Sequence, residues 1–381
     1  MSDTLRLATR SSDLALRQAS TVRDRLESRR HDAELLHVQT HGDRVRDELI
    51  SRLGKTGAFV RALDERVLDG EADAAVHSMK DMPTDMPDDL TVGGVPQRAP
   101  SGDVLVTVDG GGLDNLLVGA TVGTSSLRRK AQLLAERPDL TVEPLRGNVD
   151  TRLEKLVAPR LHAEHERRLD AAEDDDSDSE NSSDESFDRT PEEWFDDLTE
   201  LERSALERAP ETEYDAIVLA EAGLRRSDLY DHPAFEVERL PRSTFVPAPG
   251  QGAIAVTTAT PSVRETVRDA VDHAPTRVTT TVERTVLAEL GGGCVAPIGV
   301  HALLQGEHVT TRVRVLSADG SEEVRESRDL PADRHAEAAR EFAADLRDRG
   351  AAELIEAAKR EQGVESERGD GTGADERGPK P

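Results

Sequence analysis

Residues 5–26, LRLATRSSDLALRQASTVRDRL, join a short apolar run to a helical pattern, and that pairing decides the fold class. LRLAT reads as a strand, whereas Leu14, Ala15, Gln18, Val22 and Leu26 recur at helical spacing. The alternation then repeats. AELLHVQT at 33–40 reads as a strand, a helix is predicted around Phe59 to Leu68, and ADAAVHS at 72–78 reads as another strand. Strands separated by helices imply an α/β architecture. A segment rich in glycine and proline, from Gly93 to Gly102, interrupts it. A second α/β unit starts at DVLVTV (103–108), continues through GATVGTSS, TVEPLRG and YDAIVLA, and ends near LPRSTFVPAPGQGA (240–253).

Inside that second unit lies a different kind of sequence. EDDDSDSENSSDESFD (173–188) is a low-complexity acidic tract with too little apolar surface to offset its ordering entropy, so a disordered loop is expected. After it, Thr190, Pro191 and Glu193 make a capping box. Trp194, Leu198, Leu201 and Ala205 at helical spacing predict one helix there. From about residue 273 a helix leads into GGGCVAPIG (291–299). Strands around GVHALLQ, TTRVRVLSADG and EEVRESRDL follow, then two helices from Ala332 to Arg360, and a polar tail after Gly363 expected to be disordered.

The chain has 381 residues, enough for two or three domains. Its formal net charge of -28 argues against duplex nucleic acid or an anionic membrane as a partner. Lysine is scarce, and 43 of the 49 basic residues are arginine. An acidic, lysine-poor surface suits concentrated salt, where a Debye length of about 3 Å screens the repulsion between carboxylates. One cysteine excludes an internal disulfide framework and a cysteine-based metal cluster. The N-terminal stretch has no apolar signal region and no segment is long and apolar enough to span a membrane, so a cytoplasmic protein is expected.

Several motifs carry candidate chemistry. GTSSLRRKAQ (123–132) follows an apolar strand and opens a helix, so the hydroxyls of Thr124, Ser125 and Ser126 converge with free amides on an anion site. Arg128 and Arg129 fall in the first turn, where a cation is unfavourable unless an anion is held nearby. A capped helix with two solvated arginines accounts for the same residues. Arg6 and Arg10 flank the first strand and the turn before Ser12, and Arg146 and Arg152 flank the turn in LRGNVDTRLEKL. Arginine forks at strand C-termini of two α/β units suit a carboxylate ligand, because that edge is where such sheets bind. HSMKD (77–81) places Lys80 and Asp81 beyond another strand, where an aspartate can accept a heterocycle's N–H or pass protons to a leaving amine. GGGCVAPIG puts Cys294 on a glycine-rich loop with room for a large group on sulfur, although a free cysteine is usually just buried. GKT at 54–56 lacks the upstream glycine of a phosphate loop, and His37, His41 and His77 lack metal-ligand spacing.

LRLATR, HSMKDMP, VGTSSLRR, LRGNVDTRL, YDAIVLAEAGLRR, PAPGQGA and GGGCVAPIG resemble, in the same order, the motifs of the hydroxymethylbilane synthase (porphobilinogen deaminase) family, from residue 5 to about 360. The resemblance implies two α/β domains like type II periplasmic binding proteins flanking a cleft, plus a small C-terminal α/β domain with an antiparallel sheet. It divides the chain into 1–99 with 248–270, 103–245 with the acidic insertion 157–212, and 273–362, leaving 363–381 as the tail. It implies a dipyrromethane cofactor on Cys294, with Asp81 as the catalytic carboxylate and Lys80, Ser78, Thr124, Ser126, Arg128, Arg129, Arg146, Gln251 and Gly252 around the cofactor. Arg6, Arg10, Ser12, Arg152 and Arg226 become the substrate binders.

The substrate implied is porphobilinogen, which loses ammonia to give an electrophile that a pyrrole α-carbon attacks. Four cycles and one hydrolysis release hydroxymethylbilane, with no metal or nucleotide. A monomer is expected, with its product passed to uroporphyrinogen III synthase. One departure concerns LGKTGAF (53–59), where many members of that family carry GGKGLF, so Lys55 is displaced by one position in a loop expected to cover the cleft. Two rival classes remain at this point: a two-lobed protein that only binds a polycarboxylate, and a cysteine-nucleophile hydrolase, for which no paired histidine is evident.

Overall fold

A computed structural model describes residues 4–38, 56–175, 187–209, 212–293 and 296–370 of the chain. Strand β1 (Leu5–Arg10) is followed by α1 (Asp13–Ser28), β2 (Ala33–Val38), α2 (Thr56–Leu68), β3 (Ala74–Ser78) and β4 (Thr91–Gly94). Ala19, Val22 and Leu26 form the buried stripe of α1, and Val60, Leu63 and Val67 that of α2. Both helices lay their apolar sides on the sheet, as the periodicity requires.

The chain then crosses over and builds β5 (Asp103–Thr107), β6 (Thr121–Gly123), α3 (Leu127–Glu136), β7 (Thr141–Glu143) and α4 (Val149–Asp175). The unit continues with α5 (Pro191–Asp197), α6 (Glu200–Leu206), β8 (Ala216–Ala220), α7 (Glu221–Arg226) and β9 (Glu236–Arg239). It returns to the first sheet as β10 (Ile254–Thr258), followed by α8 (Pro261–Val271). The first sheet has order β2-β1-β3-β10-β4 and the second β7-β6-β8-β5-β9. In each sheet four strands share one direction, and the fourth position, β10 or β5, runs antiparallel to both its neighbours. This is the two-lobed architecture that the resemblance implied.

The antiparallel strand is, in each sheet, the one entered directly from a crossover. Asp103 pairs with Ala220 and Ile254 with Ser78, so both crossovers lie at the edge where the parallel strands end. That is the ligand edge of such sheets.

The third unit contains α9 (Ala274–Glu289), an antiparallel meander of β11 (Ile298–Gln305), β12 (His308–Leu316) and β13 (Glu323–Pro331), then α10 (His335–Asp348) and α11 (Ala351–Asp370). Val282, Val286, Val300, Val313 and the wholly buried Phe342 centre its core.

Three expectations need correction. The segment after the acidic tract is two helices, because Thr199 with Glu202 forms a second capping box that restarts the chain after Leu198. Part of the expected loop is helix, since α4 runs through Pro159 to Asp175. Glu164 pairs with Arg168 one turn on, support that a purely compositional reading overlooks. The tail is likewise helical as far as Asp370. Residues 176–186 and 371–381, also expected to be disordered, lie outside the described residues.

Arg168 also stacks on Phe187 and Trp194, and His165 stacks on Trp194, so the insertion makes its own small aromatic cluster. Arg168 donates to the Arg189 carbonyl at 3.4 Å, which joins the two flanks of the acidic tract. Deleting residues 165–189 across a short Gly/Ser linker is expected to leave turnover at high salt within a few-fold of the parent. Each doubling of loop length costs only about 0.6 kcal/mol. Loss of turnover in a folded, cofactor-bearing deletion would make the insertion a working part of the site.

Candidate functional site

The site is built where the two sets of parallel strands end. On the first sheet, Ser78 closes β3 and the chain makes one 3-10 turn, Met79–Asp81. Buried Met79 anchors the turn by donating its N–H to the Ala253 carbonyl at 3.0 Å. Lys80 and Asp81 are carried on it. Arg10 ends β1 at the same edge, and Ser12 is the N-cap residue of α1, with its hydroxyl not used for capping.

On the second sheet, β6 ends at Gly123 and the chain turns into α3. The Ser126 hydroxyl accepts from Arg129 N–H at 3.5 Å, Thr124 Oγ1 accepts from Ser126 N–H at 3.3 Å, and the Ser125 hydroxyl donates to the Leu145 carbonyl. Arg128 and Arg129 are both buried, so they are not the solvated arginines of a simple capped helix. Arg128 Nη1 donates to Asp103 Oδ2 at 2.8 Å and to the Val246 carbonyl at 2.9 Å. Arg129 donates to Asp103 Oδ1 from Nε at 3.0 Å and from Nη2 at 2.8 Å.

Asp103 is thus the centre of a buried network. Burial alone would raise its carboxyl, but Arg128 and Arg129, with hydrogen bonds from Arg128 and Gln251, hold it well below the usual range. Burial lowers the Arg128 guanidinium from its ordinary value, Asp103 opposing and Arg129 adding to the shift. Removing Asp103 would strand two buried cations, a loss of about 3–5 kcal/mol for a broken buried pair.

Gln251 joins the same network. Its Nε2 donates to the carbonyls of Ser101 and Gly102 and to Asp103 Oδ1, tying the outgoing crossover to the returning one. Gly252 has φ +82, and a Cβ there would lie 2.7 Å from the Ala99 carbonyl oxygen, so the two crossovers approach too closely for any side chain. Arg226, the last residue of α7, donates to the Gly252 carbonyl at 2.8 Å, and burial lowers its pKa.

The charges of the two lobes act on one another. Asp81 is the strongest single influence on Lys80 and favours its charged form, yet enclosure by protein and the cations Arg129 and Arg152 outweigh it. The Lys80 pKa therefore lies below the ordinary lysine value. The side chain is nevertheless exposed to solvent. Arg152 is pushed down to about 10 by burial first, then by Arg129 and Arg146, while Asp81 of the opposite lobe resists. Arg152 Nε donates to the Gly147 carbonyl at 2.9 Å. Lys80, Arg129, Arg146 and Arg152 thus form a concentration of positive charge, with Asp81 set among them, in a chain of net charge -28.

Arg6 does not belong to this group. It begins β1 at the opposite edge of the sheet, where it pairs with Asp73 and donates to the Gly70 carbonyl at 3.0 Å. Arg10 lies four positions further along the strand, roughly 13 Å away. The expectation that Arg6 binds substrate is corrected accordingly: flanking a strand is not enough, because only one end faces the ligand edge. His77 lies in a buried network with Asp64 and Thr257, as a structural histidine. Cys294, Lys55 and His41 lie outside the described residues. Beside the cysteine, a Cβ on Gly293 would meet nothing within 4 Å.

Sequence reasoning missed Asp103. Its signal was present, a carboxylate heading a strand, DVLVT, in which every residue is buried. Among the described residues no helix is long and apolar enough to cross a membrane.

The chain matches the domain described as "Porphobilinogen deaminase, dipyromethane cofactor binding domain" over residues 5–164 and 201–266. It matches "Porphobilinogen deaminase, C-terminal domain" over 278–348. A "Probable porphobilinogen deaminase" of Halobacterium salinarum is 55% identical, the match covering 94% of this chain and 99% of that protein. One of Methanococcoides burtonii is 36% identical over 92% of this chain and 96% of its own length. The "Porphobilinogen deaminase" of Brevibacillus brevis is 36% identical over 83% and 86%. The haloarchaeal relative accords with the salt-adapted composition. The residues matched carry both lobes, the cationic edge and most of the third unit, so the chain belongs to the porphobilinogen deaminase family.

Proposed function

We propose that the chain is a hydroxymethylbilane synthase that joins four porphobilinogen molecules, with release of ammonia, on a dipyrromethane held through Cys294. The observation that carries this reading is the cationic cluster between the two lobes, with Asp81 set among its members.

The residues present fit the cofactor. Every ring of a dipyrromethane carries two carboxylates, and Arg152 and Lys80 are shifted downward by burial first and then by neighbouring cations, so a polyanion relieves an existing repulsion. Arg128 Nε is buried without a partner and offers one more donor. When bound, the cofactor supplies a nucleophilic pyrrole α-carbon and the carboxylates by which it is held.

The protein's own groups do the rest. Lys80, Arg128, Arg129 and Arg146 hold cofactor carboxylates, with hydroxyls from Ser78, Thr124 and Ser126 assisting. Gln251 and Gly252 keep the crossovers together beneath them. Arg10, Ser12, Arg152 and Arg226 bind the incoming carboxylates, since arginine forks hold such groups in a fixed plane. Asp81 stabilises positive charge on pyrrole nitrogen as ammonia leaves, and it returns protons to the departing amine. The enzyme works as a cytoplasmic monomer and hands its product to uroporphyrinogen III synthase.

Intact mass tests this directly. Purified active protein is expected to exceed its sequence mass by two pyrrole units, and brief incubation with porphobilinogen adds single rings in succession. An active enzyme with unmodified Cys294 would end the cofactor assignment.

A further inference from the structure

Helix α9 stops at Glu289, five residues before Cys294, and its flank meets the turn that carries Asp81. Arg284 on this helix reaches from the third unit into the first. Its Nη2 donates to the Pro83 carbonyl at 2.6 Å, and its Nη1 to the carbonyls of Met82 at 3.3 Å and Met79 at 3.4 Å. One guanidinium therefore bridges the start and the exit of the turn Met79–Asp81.

Within the first unit the turn is held by buried Met79 and Met82 and by the Met79 N–H bond to the Ala253 carbonyl. Its internal bond, Met82 N–H to the Met79 carbonyl, is long at 3.2 Å. A cavity of about 250 Å³ lies on the same side, lined among others by Met79, Val92, Val95, Thr280, Arg284 and Thr285. Packing between α9 and the turn leaves this space open, and Arg284 supplies polar contacts between the two. The preceding residue, Glu283, is wholly buried and serves the crossovers in a parallel way. It accepts both Nη groups of Arg98, at 2.7 and 2.9 Å, together with the N–H of Gly250 at 2.7 Å and of Ala302 at 2.8 Å. Two successive residues of one helix thus fix the crossovers and the turn.

We infer that Arg284 is a positioning residue for Asp81: it holds the turn through three carbonyls and ties it to the helix leading into the loop of Cys294. The inference rests on the reading of Asp81 as the group that meets pyrrole nitrogens. Arg284 touches backbone carbonyls of the turn, so its loss displaces the catalytic carboxylate without deleting a carboxylate fork. A displacement of about 1 Å at a reacting group costs up to 10²-fold in rate.

The test uses holoenzyme whose cofactor content is verified by intact mass and Ehrlich reaction. Arg284→Gln is expected to lower kcat about tenfold or more, with KM for porphobilinogen within about threefold. Amide exchange in residues 79–83 becomes faster, and Arg284→Lys, which keeps a charged donor, recovers part of kcat. In a double-mutant cycle, Arg284→Gln with Asp81→Asn falls no further than Asp81→Asn alone, because the two act as one unit. A wild-type kcat in Arg284→Gln, a change confined to KM, or additive losses in the double variant would overturn the proposal while leaving Asp81 in its role. Normal turnover in Asp81→Asn would instead remove that role, and the proposal with it.

Discussion

Cys294→Ser yields a chain that folds and binds no pyrrole. Serine differs from cysteine by one atom, so the fold is expected to survive the change. The chemistry changes far more than the volume. Thioether formation needs sulfur to attack an electrophilic carbon and give up its proton. A thiol is a few per cent thiolate near neutrality, whereas an unactivated serine hydroxyl is a far weaker nucleophile. No histidine is placed by the sequence to act as its base. The variant, expressed without a wild-type copy, should show the mass of its sequence alone, a negative Ehrlich reaction and turnover below detection. A comparable rate with bound pyrroles would sink the assignment of Cys294.

The elements legible in the sequence were those whose apolar spacing is local. β1, α1 and β3 follow from patterns of two or 3.6 residues that their own neighbours enforce. The sheet order was legible only through resemblance, because β10 enters between β3 and β4 after the whole second unit has been built. The Asp103 network was hidden for the same reason, since Gln251 is 148 residues away and neither residue belongs to a periodic pattern. Arg6 misled because a sequence shows that a residue flanks a strand but not which strand end faces the ligand. The second capping box, Thr199 and Glu202, was readable and overlooked. Arg129, Arg146 and Arg152 were legible in the sequence as arginines near strand ends, but their mutual crowding emerges only when the lobes are set together.

That crowding shapes what happens when Asp81 becomes Asn. The side chain keeps its size, so the turn and the carboxylate forks remain, and the protein should still carry its cofactor. In the proposed mechanism it loses the negative charge that balances positive charge developing on pyrrole nitrogen. Removing a preorganised stabilising group of this kind costs on the order of 10²-fold or more in kcat. A second consequence follows from the neighbours. Asp81 is the largest influence keeping Lys80 charged, and it also opposes the downward shift of Arg152. Without it, burial and the remaining cations are opposed only by the weaker pull of Asp103, so Lys80 releases its proton at a lower pH than in the parent. On the same proposal the charged form of Lys80 binds carboxylate, and its population is lost as pH rises through its pKa. The alkaline limb of porphobilinogen turnover in Asp81→Asn should therefore move to lower pH, beyond the overall fall in kcat. Steady-state kinetics from neutral to alkaline pH on cofactor-bearing protein measures both effects. Turnover close to the parent's would show that the reaction does not need this carboxylate. A large fall in kcat with an unmoved alkaline limb would keep Asp81 in the chemistry but separate it from the charge state of Lys80.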